Sequence, residues 1–379
     1  MLHRSADWLA GQERLPESVR AVLGYYSDTG VFDPRSLLLK RRVDTVVGGM
    51  LDRLFTELDR TLADELGHDG ISMSYDTKLV LPAKLTLGQL YRQLEPADHR
   101  RAEELTRLAV EALIDGDMRD AINDEEFGDF EVDVDIDDHE RRQIAEVTQE
   151  QIQRRVEKQL ATYPEPVRDS YEWAVRVSNA HQERDQQFRE LMAAVQRGGA
   201  TRERLAAEYR DLGFEDTPEL LTETERSLPY IRTQYDRVGV LYDAMLEMYC
   251  GAGLTVERPF RRSIVLAIIG AQIWLDDVDD FEADLRSGQL TPATAEYLFA
   301  AADDDPRAAV LDIGRRYFDR AQTAATAADS ALTGIAIEYI RLSGDPGSLP
   351  PAIEIRDSST NETDTATGTA GRQPAEDSR

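Results

Sequence analysis

Apolar positions along most of this chain recur every three or four residues, the period of a helix that buries one face. In Arg35–Gly67 the stripe runs through Leu38, Val43, Val46, Val47, Met50, Leu51, Leu54, Phe55, Leu58 and Leu62, and Gly67 supplies a left-handed stop. Pro96-Ala97-Asp98 opens a second helix that reaches about Ala121. Glu140–Leu160 and Val167–Arg197 are two more, bounded by Pro164 and Pro166 before the second and by Gly198-Gly199 after it. Thr201 starts a short helix ending near Gly213, and Asp216-Thr217-Pro218 is expected to cap another, with proline in its first turn. The last third reads as four helices, Tyr230–Gly251, Pro259–Arg286, Pro292–Ala301 and Pro306–Leu342. Strand signals are weak and confined to Ile71–Leu87, with Tyr75, Val80 and Thr86. The pattern predicts an all-α fold.

Two segments lack that pattern. Residues 123–138 are crowded with carboxylates and read as a mobile acidic loop. Residues 351–379 are Ser, Thr, Asp and Gly in low-complexity order, too poor in apolar surface to offset chain entropy, and read as a disordered tail. With no internal repeat and short connections, residues 35–350 are expected to form one helical domain behind an N-terminal extension, 1–34.

Composition narrows the setting. A net charge of −29 argues against nucleic acid and anionic membrane surfaces, which are bound by clustered Lys and Arg. Lysine is scarce (Lys40, Lys78, Lys84 and Lys158), a balance suited to concentrated salt, where a Debye length of about 3 Å screens self-repulsion. The single Cys250 excludes an intramolecular disulfide and a cysteine-based zinc cluster. Residues 1–11 lack the apolar stretch of a signal peptide, and the longest apolar run, Ile264–Leu275, is too short to cross a bilayer, so the expected compartment is the cytoplasm.

One segment carries a sharper chemical signal. Gln272-Ile-Trp-Leu-Asp276-Asp277-Val278-Asp279-Asp280 ends a strongly apolar helical run, and an α-helix would set Gln272, Asp276, Asp280 and Asp284 on one face. Carboxylates stacked a turn apart on a core helix repel one another, and a hard divalent cation with oxygen ligands relieves that repulsion; magnesium shares its remaining positions with water and phosphate. A solvated acidic stripe is the competing reading in so acidic a chain.

With Asp284-Leu-Arg286-Ser-Gly288-Gln-Leu-Thr291-Pro292 behind it, this segment resembles the second aspartate-rich motif of the trans-polyprenyl diphosphate synthases, members of the class I isoprenoid synthases. Upstream, Arg237-Val238-Gly-Val-Leu241-Tyr242 is similar to that family's helix with a diphosphate-contacting lysine; Arg237 stands at the lysine and Val238 at the usual threonine. The resemblance spans roughly 230–342. It implies a large helical bundle around an apolar cavity, with Asp276, Asp277 and Asp280 holding Mg2+ and Arg237 contacting the diphosphate. The implied reaction is prenyl transfer, condensation or cyclisation of an allylic prenyl diphosphate, in a homodimer by analogy alone.

That family also needs a first aspartate motif on an early helix, and no clean copy is present. Asp120-Ala-Ile-Asn-Asp124 has the i, i+4 spacing and is the candidate pair, although a fraying helix end reads equally well. Arg41-Arg42 matches early substrate contacts no better than it matches an exposed basic turn, and Arg261-Arg262 reads as surface. The histidines, His3, His68, His99, His139 and His181, show no metal spacing. The missing motif keeps two rivals open: an inactive helical interaction or regulatory protein derived from the same fold, and a helical phosphohydrolase, which needs a second acidic cluster.

Overall fold

The computed structural model describes residues 15–67, 72–75, 78–123, 125–133, 136–301, 304–344 and 347–351. Within them the protein is all-α. The chain runs through α1 (Glu17–Thr29), α2 (Pro34–Leu66), β1 (Met73–Ser74), α3 (Leu81–Gln93), α4 (His99–Asn123), β2 (Glu131–Val132), α5 (Asp138–Leu160) and α6 (Glu165–Gln196). Short helices α7 (Arg202–Leu205), α8 (Glu223–Arg226) and α9 (Ile231–Gln234) lead into α10 (Val240–Gly251) and α11 (Arg258–Ala271). The chain closes with α12 (Asp277–Asp279), α13 (Phe281–Ser287), α14 (Pro292–Phe299), α15 (Pro306–Ala327) and α16 (Ala331–Ser343).

Side-chain caps start several of these helices, and α2 ends at the glycine the sequence marks as its stop. Asp33 accepts from the Arg35 N–H at the start of α2, and Gly67 closes it at φ 70°. Asp137 and Glu140 form a capping box on α5. One continuous apolar core joins α2 to α16. Within it α11 lies along α15, α10 along α6, α4 along α5, and α1 along α16. The α11–α15 crossing is close because glycines face aromatics: a Cβ on Gly270 would stand 3.0 Å from the Phe318 ring, and one on Gly314 2.9 Å from Trp274.

Several expectations are corrected. Asp216 caps no helix; the next helix starts at Glu223 behind Thr222. Pro306–Leu342 is two helices, broken around Asp329, whose φ of 49° no α-helix accommodates. Leu38, placed on the buried stripe of α2, is 73% exposed. The 71–87 strand candidate is helical from Lys78 on, a 3-10 turn (Lys78–Val80) running into α3, and its two-residue β1 pairs antiparallel with β2 from the acidic loop. The described part of that loop is pinned: Phe130 is fully buried, lies 5.1 Å from the Tyr75 ring, and accepts from Arg141 at 3.0 Å. The tail after Pro351 and the first residues of the N-terminal extension lie outside the described residues.

Candidate functional site

The aspartate segment is not one continuous α-helix. Gln272–Asp276 is a π-turn, α12 is three residues long, and Asp280 (φ −90°, ψ 2°) bends the chain into α13. Adding one residue to a turn rotates the residues after it by about 100°. Gln272 therefore leans toward Asp277 rather than Asp276, without closing a hydrogen bond. Asp277 turns inward and is 1% exposed, while Asp276, Asp279 and Asp280 stay at the surface.

A second π-turn, Tyr235–Gly239, delivers the counter-charge. Its Arg237 is 28% exposed and places Nη1 3.2 Å from Asp277 Oδ1; Asp277 Oδ2 has no hydrogen-bond partner. The third π-turn, Ala206–Arg210, brings in Tyr209, which is buried and donates to the Leu290 carbonyl at 2.7 Å. Tyr209 lies close enough to Arg237, Asp277 and Asp284 to feel all three charges. Each π-turn among the described residues thus contributes a side chain to one cluster. Widened turns of this kind concentrate at functional sites.

The carboxylates of the cluster are under-neutralised. Burial, only partly offset by Arg237, raises Asp277 to about 7. Burial likewise raises Asp276 to about 6; Arg237 opposes the shift, while Asp280 and Asp279 add to it. Asp284, half-buried on α13, is also raised to about 6 by burial, against the pull of Arg237 and with a further push from Asp280. Asp276 is exposed although surrounding protein is the largest influence on it, and it marks the solvent edge of this cluster, the recess around Arg237. Arg237 is itself held above its ordinary range: burial works against its charge, but Asp277, Tyr209, Asp284 and Asp120 outweigh it.

That last neighbour ties in α4. Asp120 is exposed near the end of α4, accepts from Gln182 Nε2 at 2.7 Å, and is near enough to influence Arg237. Asp117, one turn earlier, acts with Asp276 on buried Tyr242. The early and late aspartates therefore converge on Arg237 and Tyr242 from opposite elements. Asp124, the other half of the early pair, lies outside the described residues. Among the described residues no three His, Cys, Asp or Glu side chains form a ready-made ligand set for one ion.

Helix α6 supplies partners that the sequence pattern does not reveal. His181 is half-buried beside Arg237; burial, then Arg237 and Arg184, lower it to about 4, so it is neutral at pH 7. One turn on, Asp185 accepts from Arg189 Nε at 2.6 Å, and Arg189 also donates to the Ser287 carbonyl at 3.3 Å and to Gln289 at 3.2 Å, tying α6 to the turn after α13. Histidine spacing could not reveal His181, whose partner Arg237 lies more than fifty residues away. Arg261 and Arg262, read as surface, are mostly buried ion-pair members: Arg261 binds Asp243 at 2.8 Å and Arg262 binds Glu225. Arg42 lies 4.0 Å over the Tyr91 ring and meets His99, away from the recess.

Between α4, α6 and α10 lies a small cleft of about 40 Å³, mostly apolar through Leu113, Val175, Leu241 and Met245, with the Asp115–Arg119 ion pair and Tyr171 also in its lining. On the same helices or the turns that lead into them, Asp120 lies four residues past Gly116, Arg237 four before Leu241 and Gln182 seven past Val175. The cleft therefore lies between the helices that carry Asp120 and Gln182. Its volume holds roughly three waters.

Among known proteins, no family model, no curated protein and no solved structure matches this chain. The fold and the site define a class only: an all-α protein with carboxylates gathered around one arginine, Asp277 buried against it and the others at or near the surface.

Proposed function

We propose that the recess binds an allylic prenyl diphosphate together with Mg2+ and promotes loss of diphosphate, leading to prenyl transfer, condensation or cyclisation. The observation that carries this reading is the gathering of Asp120, Asp276, Asp277 and Asp284 around Arg237. The donor chemistry fits magnesium: hard oxygen donors carrying more negative charge than Arg237 neutralises. Asp276 and Asp280 would hold it, and water and the substrate phosphates would fill the positions that two protein ligands leave. Magnesium would supply electrostatic relief to the departing diphosphate.

The chain's own contribution is positional. Arg237 would meet the phosphate oxygens through the part of its guanidinium that Asp277 leaves free, and the apolar walls of α4, α6 and α10 would take the hydrocarbon. At its present volume the cleft admits an isoprenyl chain only if those helices part. The test is pyrophosphate release from C10–C20 allylic diphosphates in magnesium, with Asp276→Ala/Asp280→Ala as control. Absence of release, together with absence of substrate-dependent magnesium binding, refutes the proposal.

One observation favours the inactive reading. The Arg237–Asp277 ion pair already supplies part of the neutralisation a cation would give. If that is the whole of its role, Asp276→Ala/Asp280→Ala leaves cellular function intact and stabilises the fold.

A further inference from the structure

All the strongly exposed large apolar side chains among the described residues lie on three neighbouring elements, α1, the start of α2 with the link before it, and α16. The densest part is the corner where α1 turns into α2. Val31 is 42% exposed, Phe32 60%, Leu37 44% and Leu38 73%. Val31 and Phe32 sit between the left-handed Gly30 stop and the Asp33 cap, and Leu37 and Leu38 follow within two turns of α2. Phe32 has one aromatic neighbour, Tyr26, edge-on at 6.1 Å.

Shape and charge decide what covers this corner. Consecutive residues on a helix diverge by about 100°, so Leu37 and Leu38 expose two faces at once. A protruding corner that is apolar on several sides would demand a deep complementary cavity from a folded partner, whereas a fluid medium closes around it without one. The charge is opposite to that of the rest of the molecule: residues 31–44 carry four basic and two acidic side chains in a chain of net −29. Arg35 and Arg41 are exposed and make no ion pair or side-chain hydrogen bond among the described residues. Apolar tips flanked by free cations suit the headgroup boundary of an anionic bilayer.

We infer that the α1–α2 corner docks the protein onto an anionic lipid surface, inserting Phe32 and Leu38 between headgroups while Arg35 and Arg41 meet lipid phosphates. This goes beyond the proposed activity and revises the expectation drawn from net charge. Whole-molecule repulsion acts over a Debye length, about 8 Å at physiological ionic strength and shorter in strong salt, so a corner that touches the surface is governed by its own residues. No helix of the described residues is long and apolar enough to cross a membrane, and peripheral docking needs none.

The full chain is tested by co-sedimentation with phosphatidylglycerol and phosphatidylcholine vesicles, at about 0.15 M and about 2 M KCl. The expected result is binding to phosphatidylglycerol, reduced at least about tenfold by Phe32→Asp/Leu38→Asp. Arg35→Glu/Arg41→Glu should weaken it in the dilute salt and much less in the concentrated salt. Both pairs are exposed, so helical circular dichroism should persist; Phe32→Ser/Leu38→Ser serves as the second variant if it does not. No sedimentation with either lipid, or equal sedimentation of the apolar variant, overturns the inference. A dimer in light scattering that Phe32→Asp/Leu38→Asp converts to monomer, without vesicle binding by the wild type, overturns it in favour of a second copy on this corner.

Discussion

Replacing Arg237 by glutamine isolates the electrostatic core of the recess. The substitution removes the only cation within hydrogen-bond distance of Asp277 among the described residues, a carboxylate 1% exposed whose Oδ2 is already without a partner. Breaking a buried pair from one side costs roughly 3–5 kcal/mol, because a charge is left without compensation. A ceiling applies, since Asp277 can take up a proton instead. Keeping a carboxyl neutral costs about 1.36 kcal/mol for each unit by which pH exceeds its ordinary value near 3.9. Asp277 is already raised to about 7 with Arg237 in place, so the further loss open to the variant is only about 1 kcal/mol at pH ~7.5 and close to zero at pH ~5. Urea denaturation of Arg237→Gln should therefore show a loss of about 1 kcal/mol near pH ~7.5 that disappears near pH ~5. Asp277→Asn should cost less still, because the folded protein disfavours the Asp277 charge at neutral pH and Arg237 keeps Asp284 and Asp120 as neighbours. The double variant should lie close to Asp277→Asn alone. A pH-independent loss, or additive losses in the double variant, would refute a coupled buried pair.

Further outcomes follow from the same geometry. Asp276, Asp277 and Asp284 are all raised in the folded protein, to about 6, 7 and 6, so the native state binds more protons than the unfolded chain between pH ~4 and pH ~7. Their joint contribution to stability is thus highest at low pH and declines as pH rises through that window, and thermal unfolding of wild type against Asp276→Asn/Asp284→Asn should read a flatter profile in the variant. Magnesium should raise the melting temperature more at pH ~8 than at pH ~5.5, because protonated carboxyls are poor ligands; equal shifts would point to binding elsewhere. Gly314→Ala should cost about 1–3 kcal/mol by pressing a Cβ to 2.9 Å from Trp274, and it should also weaken magnesium binding, since Trp274 lies in the π-turn that sets Asp276 and Asp277. Asp115→Ala should cost roughly 3–5 kcal/mol, because this fully buried carboxylate holds Arg119, Tyr171 (2.8 Å) and Gln149 (3.0 Å) together under α4.

Helical periodicity made the long helices legible, since α2, α4, α5, α6 and α15 bury one face each and their apolar positions repeat accordingly. The acidic motif was legible as well, but its geometry was not. An i, i+4 count assumes α-turns throughout, and the single extra residue at Gln272–Asp276 exchanges the roles of Asp276 and Asp277. Nothing in Gln-Ile-Trp-Leu-Asp marks a π-turn, and the close fit of its Trp274 indole against Gly314 and Gly344 is a tertiary contact that local sequence does not encode. His181, Arg189 and Tyr209 escaped for the same reason: their relation to Arg237 and Asp284 is set by packing across the bundle, which periodicity does not encode. Leu38 illustrates the converse error. It keeps the helical period of the α2 stripe, yet the stripe runs past the end of the core, and burial stops where neighbouring elements stop.

The two readings of the recess differ in what remains after Arg237 has paired with Asp277. One guanidinium balances one carboxylate, and Asp276, Asp280, Asp284 and Asp120 are left as further negative charges nearby. A purely structural ion pair gains nothing from those further charges, which only raise its own carboxylate and make the native state less stable at neutral pH. A site that exchanges water for a cation and a phosphate needs that surplus, because the native state then regains on binding what it lost by repulsion. Removing the surplus while keeping the pair therefore separates them. Asp276→Asn/Asp280→Asn should stabilise the unliganded protein by about 1 kcal/mol or less, discounted for solvent screening, and should abolish magnesium-dependent binding of a prenyl diphosphate measured by calorimetry. Unchanged binding in that variant would mean the carboxylates around Arg237 are not the ligands.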